Sequence, residues 1–258
     1  MSSGLNVEPE LSLGTTAPVA SNSSAVSVAE GYARWAPIYD YDANPLLACE
    51  ERYLLPLLPD LHHKRVLDLA CGTGRWLERF MTQGGGSGVG IDCSVAMLQV
   101  AGHKAATTGR LARAVCENLP FCDEAFDLAI CSFALGHIRD LQAMVSELAR
   151  VTKPGANVFV SDLHPEAYAQ GWRVGFRDGR TAIQIETQSR AAKEIVHEFH
   201  ANGFEGFAPV PLYLGDTEKP IFVKAGKTHS FEAACQLPAV LLCHFKRMDT
   251  PLGFQRAG

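Results

Sequence analysis

Short apolar segments alternate with amphipathic segments between residues 65 and 160. The apolar segments of strand length are Arg65–Leu69, Val89–Ile91, Ala112–Cys116, Phe126–Phe133 and Asn157–Val160. Between them, apolar residues recur at helical spacing, for example in Arg75–Thr82 and in the segment that follows Asp140. This alternation predicts an α/β domain in which a mostly parallel sheet is covered by helices on both faces.

The residues before the first strand divide into two parts. Residues 1–28 are rich in Ser, Ala and Pro and lack the basic start and apolar core of a targeting signal, so they predict a disordered tail. The aromatic segment Gly31–Asp40 and the amphipathic segment Leu46–Leu58 predict a helical lid over residues 29–60.

The residues after the fifth strand predict a cover and the end of the sheet. Residues from about 164 to about 187 are expected to form an inserted cover, in which Asp178-Gly179 favours a hairpin turn. A helix is expected at Ser189–Asn202. Strands at Phe207–Leu214 and Ala239–Phe245 then bring the sheet to seven strands.

Composition limits the partners and the location of the protein. A chain of 258 residues with 47% hydrophobic and 20% charged residues fits one large globular domain, at residues 29–258. The net charge of −5 argues against a nucleic-acid partner, and no apolar run approaches the roughly 20 residues that cross a bilayer. The eight cysteines follow no zinc-ligand or disulfide spacing, which predicts reduced thiols, a cytoplasmic location and no bound metal. We expect a monomer or a homodimer.

A strand that runs into a glycine-rich turn is the most informative motif, at Val66–Trp76. Gly72 and Gly74 let the backbone approach a ligand, although a tight strand-to-helix turn without a ligand needs the same residues. A dinucleotide-binding turn would have its third glycine where Leu77 stands. Asp68 would repel a pyrophosphate but favours the ammonium and sulfonium groups of S-adenosylmethionine, directly or by orienting the loop amides. The motif therefore predicts a site for S-adenosylmethionine.

The end of the second strand carries a candidate ribose ligand. Asp92 lies 24 positions after Asp68, where a carboxylate can accept hydrogen bonds from two adjacent ribose hydroxyls. Alternatively, Asp92 caps the helix that begins near Ser94. Met97 in that helix can pack on an adenine ring or belong to the core.

Five motifs stand in a fixed order along the chain. They are Val66–Trp76, Gly90–Leu98, Glu117–Phe121, Phe126–Leu128 and Leu135–Asp140. Together they resemble the class I S-adenosylmethionine-dependent methyltransferases, in particular the ubiquinone/menaquinone-biosynthesis methyltransferase-like family. The resemblance covers roughly residues 31–163 and implies a Rossmann-like, seven-stranded, mostly parallel sheet whose last strand is antiparallel. It also implies S-adenosyl-L-methionine as the cofactor and methyl transfer to a small molecule as the reaction.

The resemblance further implies the cofactor ligands. An acidic residue that contacts adenine in many family members is replaced here by Val115, so adenine recognition falls to residues 116–118. An N-terminal aromatic segment closes the cofactor site in the family, although Trp35 and Tyr39 can instead pack the first helix. The predicted cofactor-binding residues are Tyr32, Arg34, Asp68, Ala70, Cys71, Gly72, Gly74, Asp92, Cys93, Met97, Cys116, Glu117, Asn118 and Ser132.

Three side chains are candidates for catalysis: His137, His164 and Tyr39. Methyl transfer is an in-line displacement at an activated carbon, so a base is needed only when the nucleophile must lose a proton. His137 follows the fourth strand and His164 the fifth, at the sheet edge where ligands of open α/β sheets bind. Each histidine can instead brace its loop.

Three other functions stay open at this stage. A nicotinamide-dependent reductase uses the same kind of turn, but Leu77 and Asp68 disfavour it. A nucleic-acid methyltransferase of the base-amine type has an Asn/Asp-Pro-Pro-aromatic motif after the fourth strand, where this chain has Cys131–Ala134. A protein that binds S-adenosylmethionine without transferring its methyl group would carry the same cofactor motifs.

Overall fold

A computed structural model of the chain describes residues 23–41, 43–84, 86–178 and 181–249. Its strands are β1 (Ser23–Val26), β2 (Arg65–Leu69), β3 (Ser87–Asp92), β4 (Leu111–Arg113), β5 (Phe126–Ser132), β6 (Thr152–Leu163), β7 (Gly175–Asp178), β8 (Thr181–Ile185), β9 (Phe204–Gly206), β10 (Val210–Tyr213) and β11 (Pro238–Arg247). Its α-helices are α1 (Val28–Trp35), α2 (Pro45–Leu54), α3 (Arg75–Thr82), α4 (Val95–Gly102), α5 (Leu141–Val151), α6 (Pro165–Ala169), α7 (Ala192–Ala201), α8 (Lys219–Lys224) and α9 (Thr228–Cys235).

The main sheet has eight strands within the described residues. Seven of them follow the order β10-β11-β6-β5-β2-β3-β4, and β9 pairs with β11. Strands β2 to β6 are parallel, and β11 runs antiparallel to β6 and β10. The predicted α/β class, the mostly parallel sheet and the antiparallel last strand are confirmed. The predicted count of seven omits β9, because its three residues are too few to show an apolar period.

Side chains of the central strands point alternately to the two faces of the sheet, as the two-residue period of a strand requires. They pack into two separate hydrophobic cores, one on each face. Leu67 of β2 belongs to a core that contains Met144 of α5 and Phe199 of α7. Its neighbour Val66 belongs to a second core that contains Phe80 of α3. The helices therefore cover both faces of the sheet, as predicted.

A second, smaller sheet packs on α1. Its order is β1-β8-β7, with β1 parallel to β8 and β7 antiparallel to β8. The buried side chains of this unit are Val26, Trp35, Phe176, Ile183 and Ile185. The inserted cover thus contains a β7–β8 hairpin, and the N-terminal strand β1 pairs with β8 as the third strand of the small sheet.

The small sheet corrects the predicted tail at its end. Residues 23–26 form β1 and Val28 begins α1, because the backbone of β1 finds hydrogen-bond partners in β8, far along the chain. The earlier part of the predicted tail, residues 1–22, lies outside the described residues. The hairpin predicted around Asp178 is present as the β7–β8 pair, whereas its turn, residues 179–180, also lies outside them.

Most predicted elements are present, with shifted bounds. β2 and α3 have the bounds predicted for them. β6 extends well beyond the predicted Asn157–Val160, and α7 is shorter than the predicted helix. Among the helices of the described ranges, none has the length and apolar character needed to cross a membrane.

Candidate functional site

A cavity of about 750 Å³ lies at the carboxyl ends of the central parallel strands. It is lined by Asp68 of β2, Asp92 of β3 and Ser132 of β5, and from another side by Ala29 and Tyr32 of α1. Ligands of open α/β sheets bind at this edge, and a cavity of this size holds a small molecule. Most of the predicted cofactor residues meet here.

The turn between β2 and α3 forms one side of the cavity. Ala70, Cys71 and Gly72 line it, but Gly74 does not. Gly72 has φ +54°, and a Cβ added to it would meet no atom within 4 Å, so the space beside it is free for a ligand. Gly74 has φ +78°, and a Cβ there would lie 3.1 Å from the Thr107 side chain. Gly74 is therefore needed for the turn and its packing, in contrast to the predicted approach to a ligand.

The Asp92 carboxylate lines the cavity and holds the turn in place. It accepts hydrogen bonds from the Gly72 amide at 2.8 Å and the Ser94 amide at 2.7 Å. Burial raises the pKa of Asp92, and these amide donors act in the opposite direction. The helix cap of α4 is Ser94, whose hydroxyl accepts from the Met97 amide. Each Asp92 oxygen retains a lone pair for a ligand hydroxyl.

Asp68 is a buried acid in the cavity wall, with a relative exposure of 2%. Burial raises its pKa to about 7. Its carboxylate accepts a hydrogen bond from the Leu77 amide of α3 at 2.9 Å, so it anchors the helix and does not orient the amides of the glycine turn. A positive charge in the cavity would favour the ionised form of Asp68.

A third part of the cavity lies beside α4 and the segment after β4. Its lining residues are Cys93, Met97, Arg113, Val115, Cys116 and Glu117. Met97 is only 1% exposed, so it serves the core and the cavity together. Asn118, predicted as a ligand, is exposed and lies outside the lining. Arg113 was not predicted; its guanidinium donates to the Cys93 carbonyl at 3.3 Å.

Tyr32 and His137 meet in the part of the cavity beneath α1. The Tyr32 hydroxyl lies 2.9 Å from His137 Nε2, and His137 Nδ1 lies 3.3 Å from the Glu186 carbonyl oxygen. A carbonyl can only accept, so Nδ1 carries the ring proton and Nε2 accepts from the tyrosine. Burial lowers the pKa of His137 and raises that of Tyr32 well above its usual value. Both side chains are therefore neutral near neutral pH.

Besides Gly74 and Asn118, two more predicted residues lie outside the cavity lining. The Arg34 guanidinium pairs with Asp178 at 2.7 Å and with Glu30 at 3.4 Å, so it ties α1 to the cover. His164 caps α6, where its Nδ1 accepts from the Glu166 amide at 3.2 Å. The loop-bracing alternative for His164 is the one that the structure supports.

Tyr39, predicted as catalytic, lines the cavity and also packs on Trp35, with ring centroids 4.8 Å apart. Burial raises the pKa of Tyr39 to about 12. Its hydroxyl is therefore no base near neutral pH.

A buried ion pair beside the cavity was missed from the sequence. Glu50 of α2 is fully buried and accepts hydrogen bonds from Arg75, Ser161 and the Trp76 indole. Arg75 also donates to the Ser132 hydroxyl at 2.9 Å, so the network fixes the end of β5. The sequence does contain a sign of this pair, since Glu50 is an acid on the apolar face of an amphipathic helix. A buried carboxylate requires a buried cation, so a basic partner could have been expected.

The central part of the chain is similar to known proteins. Residues 66–155 match a family model described as a methyltransferase domain. A malonyl-(acyl-carrier protein) O-methyltransferase from Erwinia pyrifoliae is 37% identical over 146 residues, 57% of this chain and 54% of that protein. A ubiquinone biosynthesis O-methyltransferase from Hahella chejuensis is 34% identical over 132 residues, 50% of this chain and 52% of that protein. The chain thus matches about half the length of these curated relatives.

Solved structures share the fold over more of the chain. An S-adenosylmethionine dependent methyltransferase from Mesorhizobium loti has a TM-score of 0.61 and 20% identity, over 77% of this chain and 98% of that one. The (4+2)-cyclase SpnF has a TM-score of 0.57 and 16% identity, over 86% of this chain and 95% of that one. The resemblance expected from the motifs is confirmed, and these structures establish the fold.

Proposed function

We propose that this chain, which carries a methyltransferase domain at residues 66–155, uses S-adenosyl-L-methionine to methylate a small-molecule acceptor. The observation that carries the proposal is the cavity in which Asp68, Asp92 and the free space beside Gly72 meet. Two buried carboxylates disfavour a pyrophosphate and favour a cationic nucleoside. When bound, the cofactor supplies a methyl group on a positively charged sulfur.

The residues of the cavity fit this cofactor part by part. Asp92 offers carboxylate oxygens to the ribose hydroxyls, and Gly72 leaves room for the ligand beside the turn. We propose that Met97 and Cys116, which line the cavity, flank the adenine. Asp68 favours the positive charge of the ligand over a neutral product.

The proposed acceptor is a small molecule that binds in the part of the cavity lined by α1. The cavity is too small for a macromolecular surface, and the net charge of −5 disfavours nucleic acid. The relatives named above, a malonyl-(acyl-carrier protein) O-methyltransferase and a ubiquinone biosynthesis O-methyltransferase, are compatible with a small acceptor group. All eight cysteines are free, most of them buried, which supports a cytoplasmic location. A monomer or homodimer stays our prediction.

A second candidate function is a reaction that the protein catalyses with S-adenosylmethionine bound but without transfer of its methyl group. The observation that favours it is the likeness to a structure described as a (4+2)-cyclase, which has this fold. Incubation with S-adenosylmethionine and an acceptor distinguishes the two, because only a methyltransferase forms S-adenosylhomocysteine in step with product.

Titration calorimetry with S-adenosylhomocysteine and with NADH tests the cofactor. We expect S-adenosylhomocysteine to bind and NADH not to bind. Asp92→Asn should weaken S-adenosylhomocysteine about 10- to 100-fold, because it removes charge-assisted hydrogen bonds. The matched control is Asp123→Asn, whose aspartate lies outside the cavity and pairs with Arg150 on the surface. Saturation by NADH with no uptake of S-adenosylhomocysteine would refute the proposal.

A further inference from the structure

The Tyr32–His137 pair offers one atom to an acceptor molecule. Both nitrogens of His137 are engaged, Nε2 by the Tyr32 hydroxyl and Nδ1 by the Glu186 carbonyl. A ligand cannot reach an imidazole nitrogen without displacing one of these partners. The Tyr32 oxygen donates its own proton to His137 and still has two lone pairs. Tyr32 Oη is therefore the atom of the pair that can accept a hydrogen bond from a ligand in the cavity.

The small sheet holds both partners of His137. Tyr32 lies on α1, shortly after β1, and Glu186 directly follows β8. Val26 and Ile185 are opposite each other in the parallel β1–β8 pair, and the Glu186 amide donates to the Val26 carbonyl at 3.0 Å. The pairing of the cover with β1 thus fixes the positions of Tyr32 and Glu186. These two partners in turn set the ring orientation and the tautomer of His137.

The surroundings of the pair keep both side chains neutral until a ligand delivers a proton. Burial first, and then Tyr39, Asp162, Asp92 and Cys93, raise the pKa of Tyr32, so an isolated Tyr32 would not ionise. Burial lowers the pKa of His137, and the Glu186 carbonyl acts in the opposite direction. A neutral imidazole beside the hydroxyl can take the tyrosine proton at the moment when a ligand delivers another.

We propose that Tyr32 and His137 together accept the proton in methyl transfer to a hydroxyl group, so that the acceptor is an alcohol, phenol or hydroxy acid. This inference rests on the proposed function. The acceptor O–H donates to Tyr32 Oη, and the acceptor oxygen forms the bond to the methyl carbon as the carbon–sulfur bond breaks, leaving its electron pair on sulfur. The acceptor proton passes to Tyr32 Oη, and the Tyr32 proton passes to His137 Nε2. The imidazolium releases its proton to solvent after the product leaves.

This assignment moves Tyr32 from the cofactor to the acceptor. The resemblance implies Tyr32 as part of the aromatic segment that closes the cofactor site, and the sequence offers His137 as a candidate base or as a residue that braces its loop. The 2.9 Å contact between Tyr32 Oη and His137 Nε2 is the observation behind this change.

Nitrogen NMR of the protein saturated with S-adenosylhomocysteine tests the pair without any acceptor. The His137 ring is expected to be neutral, with its proton on Nδ1. Tyr32→Phe should raise the pKa of His137, because the tyrosine hydroxyl stabilises the neutral ring by donating to it. A ring protonated at neutral pH, or a proton on Nε2, contradicts the inference.

Ionisation of 4-nitrophenol tests the acceptor class by its phenolate absorbance. The wild-type complex with S-adenosylhomocysteine should increase the phenolate fraction of the bound probe. Tyr32→Phe and His137→Gln should each reduce this increase in the phenolate fraction ten-fold or more, while the affinity for S-adenosylhomocysteine stays the same. The matched control is Tyr213→Phe, on edge strand β10 outside the cavity lining.

The outcomes separate the inference from the proposed function. A wild-type protein that binds S-adenosylhomocysteine but does not ionise the phenol, or variants that ionise it as well as the wild type, overturn the proton pair alone. A protein that binds no S-adenosylhomocysteine overturns the proposed function as well. The NMR measurement on the wild-type chain keeps the inference testable if a variant does not fold.

Discussion

Gly72 and Gly74 lie in one turn but meet different surroundings. Both have positive φ angles, at +54° and +78°, which disfavour any residue with a side chain. An added methyl group at Gly72 would point into open space, whereas one at Gly74 would press on Thr107, itself fully buried. We therefore propose that Gly72 leaves room for the ligand, whereas Gly74 is needed for the packing of the turn.

Alanine at each position should separate these tasks. Both changes cost about 1–2 kcal/mol for the left-handed backbone. Gly74→Ala should lose more stability because Thr107 must also move, and Gly72→Ala should lose more affinity for S-adenosylhomocysteine. Urea unfolding and calorimetry on the two variants measure the contrast. Equal stability losses together with equal binding losses would contradict it.

Asp68 links the charge of the ligand to the stability of the fold. Its pKa of about 7 lies above the ordinary 3.8 because the carboxyl is buried. Between these two values the folded chain keeps a proton that the unfolded chain has lost. The Asp68 contribution therefore lowers the free energy of unfolding as the pH rises from 3.8 to about 7, in the absence of ligand.

Asp68→Asn should remove this pH dependence while its amide oxygen still accepts from Leu77. We expect the ligand-free variant to gain on the order of 1–3 kcal/mol near neutral pH relative to the wild type. It should also lose five-fold or more of the preference for cationic S-adenosylmethionine over neutral S-adenosylhomocysteine. Urea unfolding and calorimetry across the pH range check both effects, with Asp123→Asn as the control. A preference that is unchanged in Asp68→Asn speaks against a charge role.

The N-terminal strand and the cover form one small sheet that packs on α1, and α1 lines the cavity. α1 approaches β8 closely at Gly31, where an added Cβ would lie 2.6 Å from the Ile185 side chain. A larger residue there must push α1 away from β8. Since Tyr32 is the next residue on α1, this displacement acts on the Tyr32–His137 contact.

Gly31→Val should therefore loosen the cover without changing the glycine turn. We expect the pKa of His137 to rise, because the hydrogen bond from Tyr32 is lost, and S-adenosylhomocysteine affinity to change less than ten-fold. Nitrogen NMR of His137 and calorimetry give the two values. Gly102→Ala, at the end of α4, is the control, since its nearest contact would be at 3.9 Å. An unchanged His137 signal in Gly31→Val would show that the position of the cover does not control the Tyr32–His137 hydrogen bond.

Elements with strong local signals were predicted from the sequence. β2 and α3 are separated by a turn with two glycines, and Asp140 caps α5 by accepting from the Ala143 amide, so local chemistry fixes their bounds. β1 was missed because its pairing with β8 is invisible in its own four residues. The orientation of Arg34 was missed for the same reason, since its partner Asp178 lies in the cover.

The cavity as a whole was predictable only in part. The sheet order brings the ends of β2, β3 and β5 together, so Asp68, Asp92 and Ser132 could be expected at one edge. Whether a histidine near that edge faces the cavity depends on loop geometry, which placed His137 inside and His164 outside. The pattern of hydrophobic and polar residues alone does not determine this loop geometry.

The arrangement predicts that one nucleoside ligand fills the cavity between the glycine turn and the Tyr32–His137 pair. A crystal structure of the protein with S-adenosylhomocysteine tests this placement. The predicted result has ribose hydroxyls hydrogen-bonded to Asp92 and the sulfur facing the part of the cavity lined by Tyr32 and His137. A ligand bound away from Asp92, or one whose sulfur points away from the pair, would contradict it.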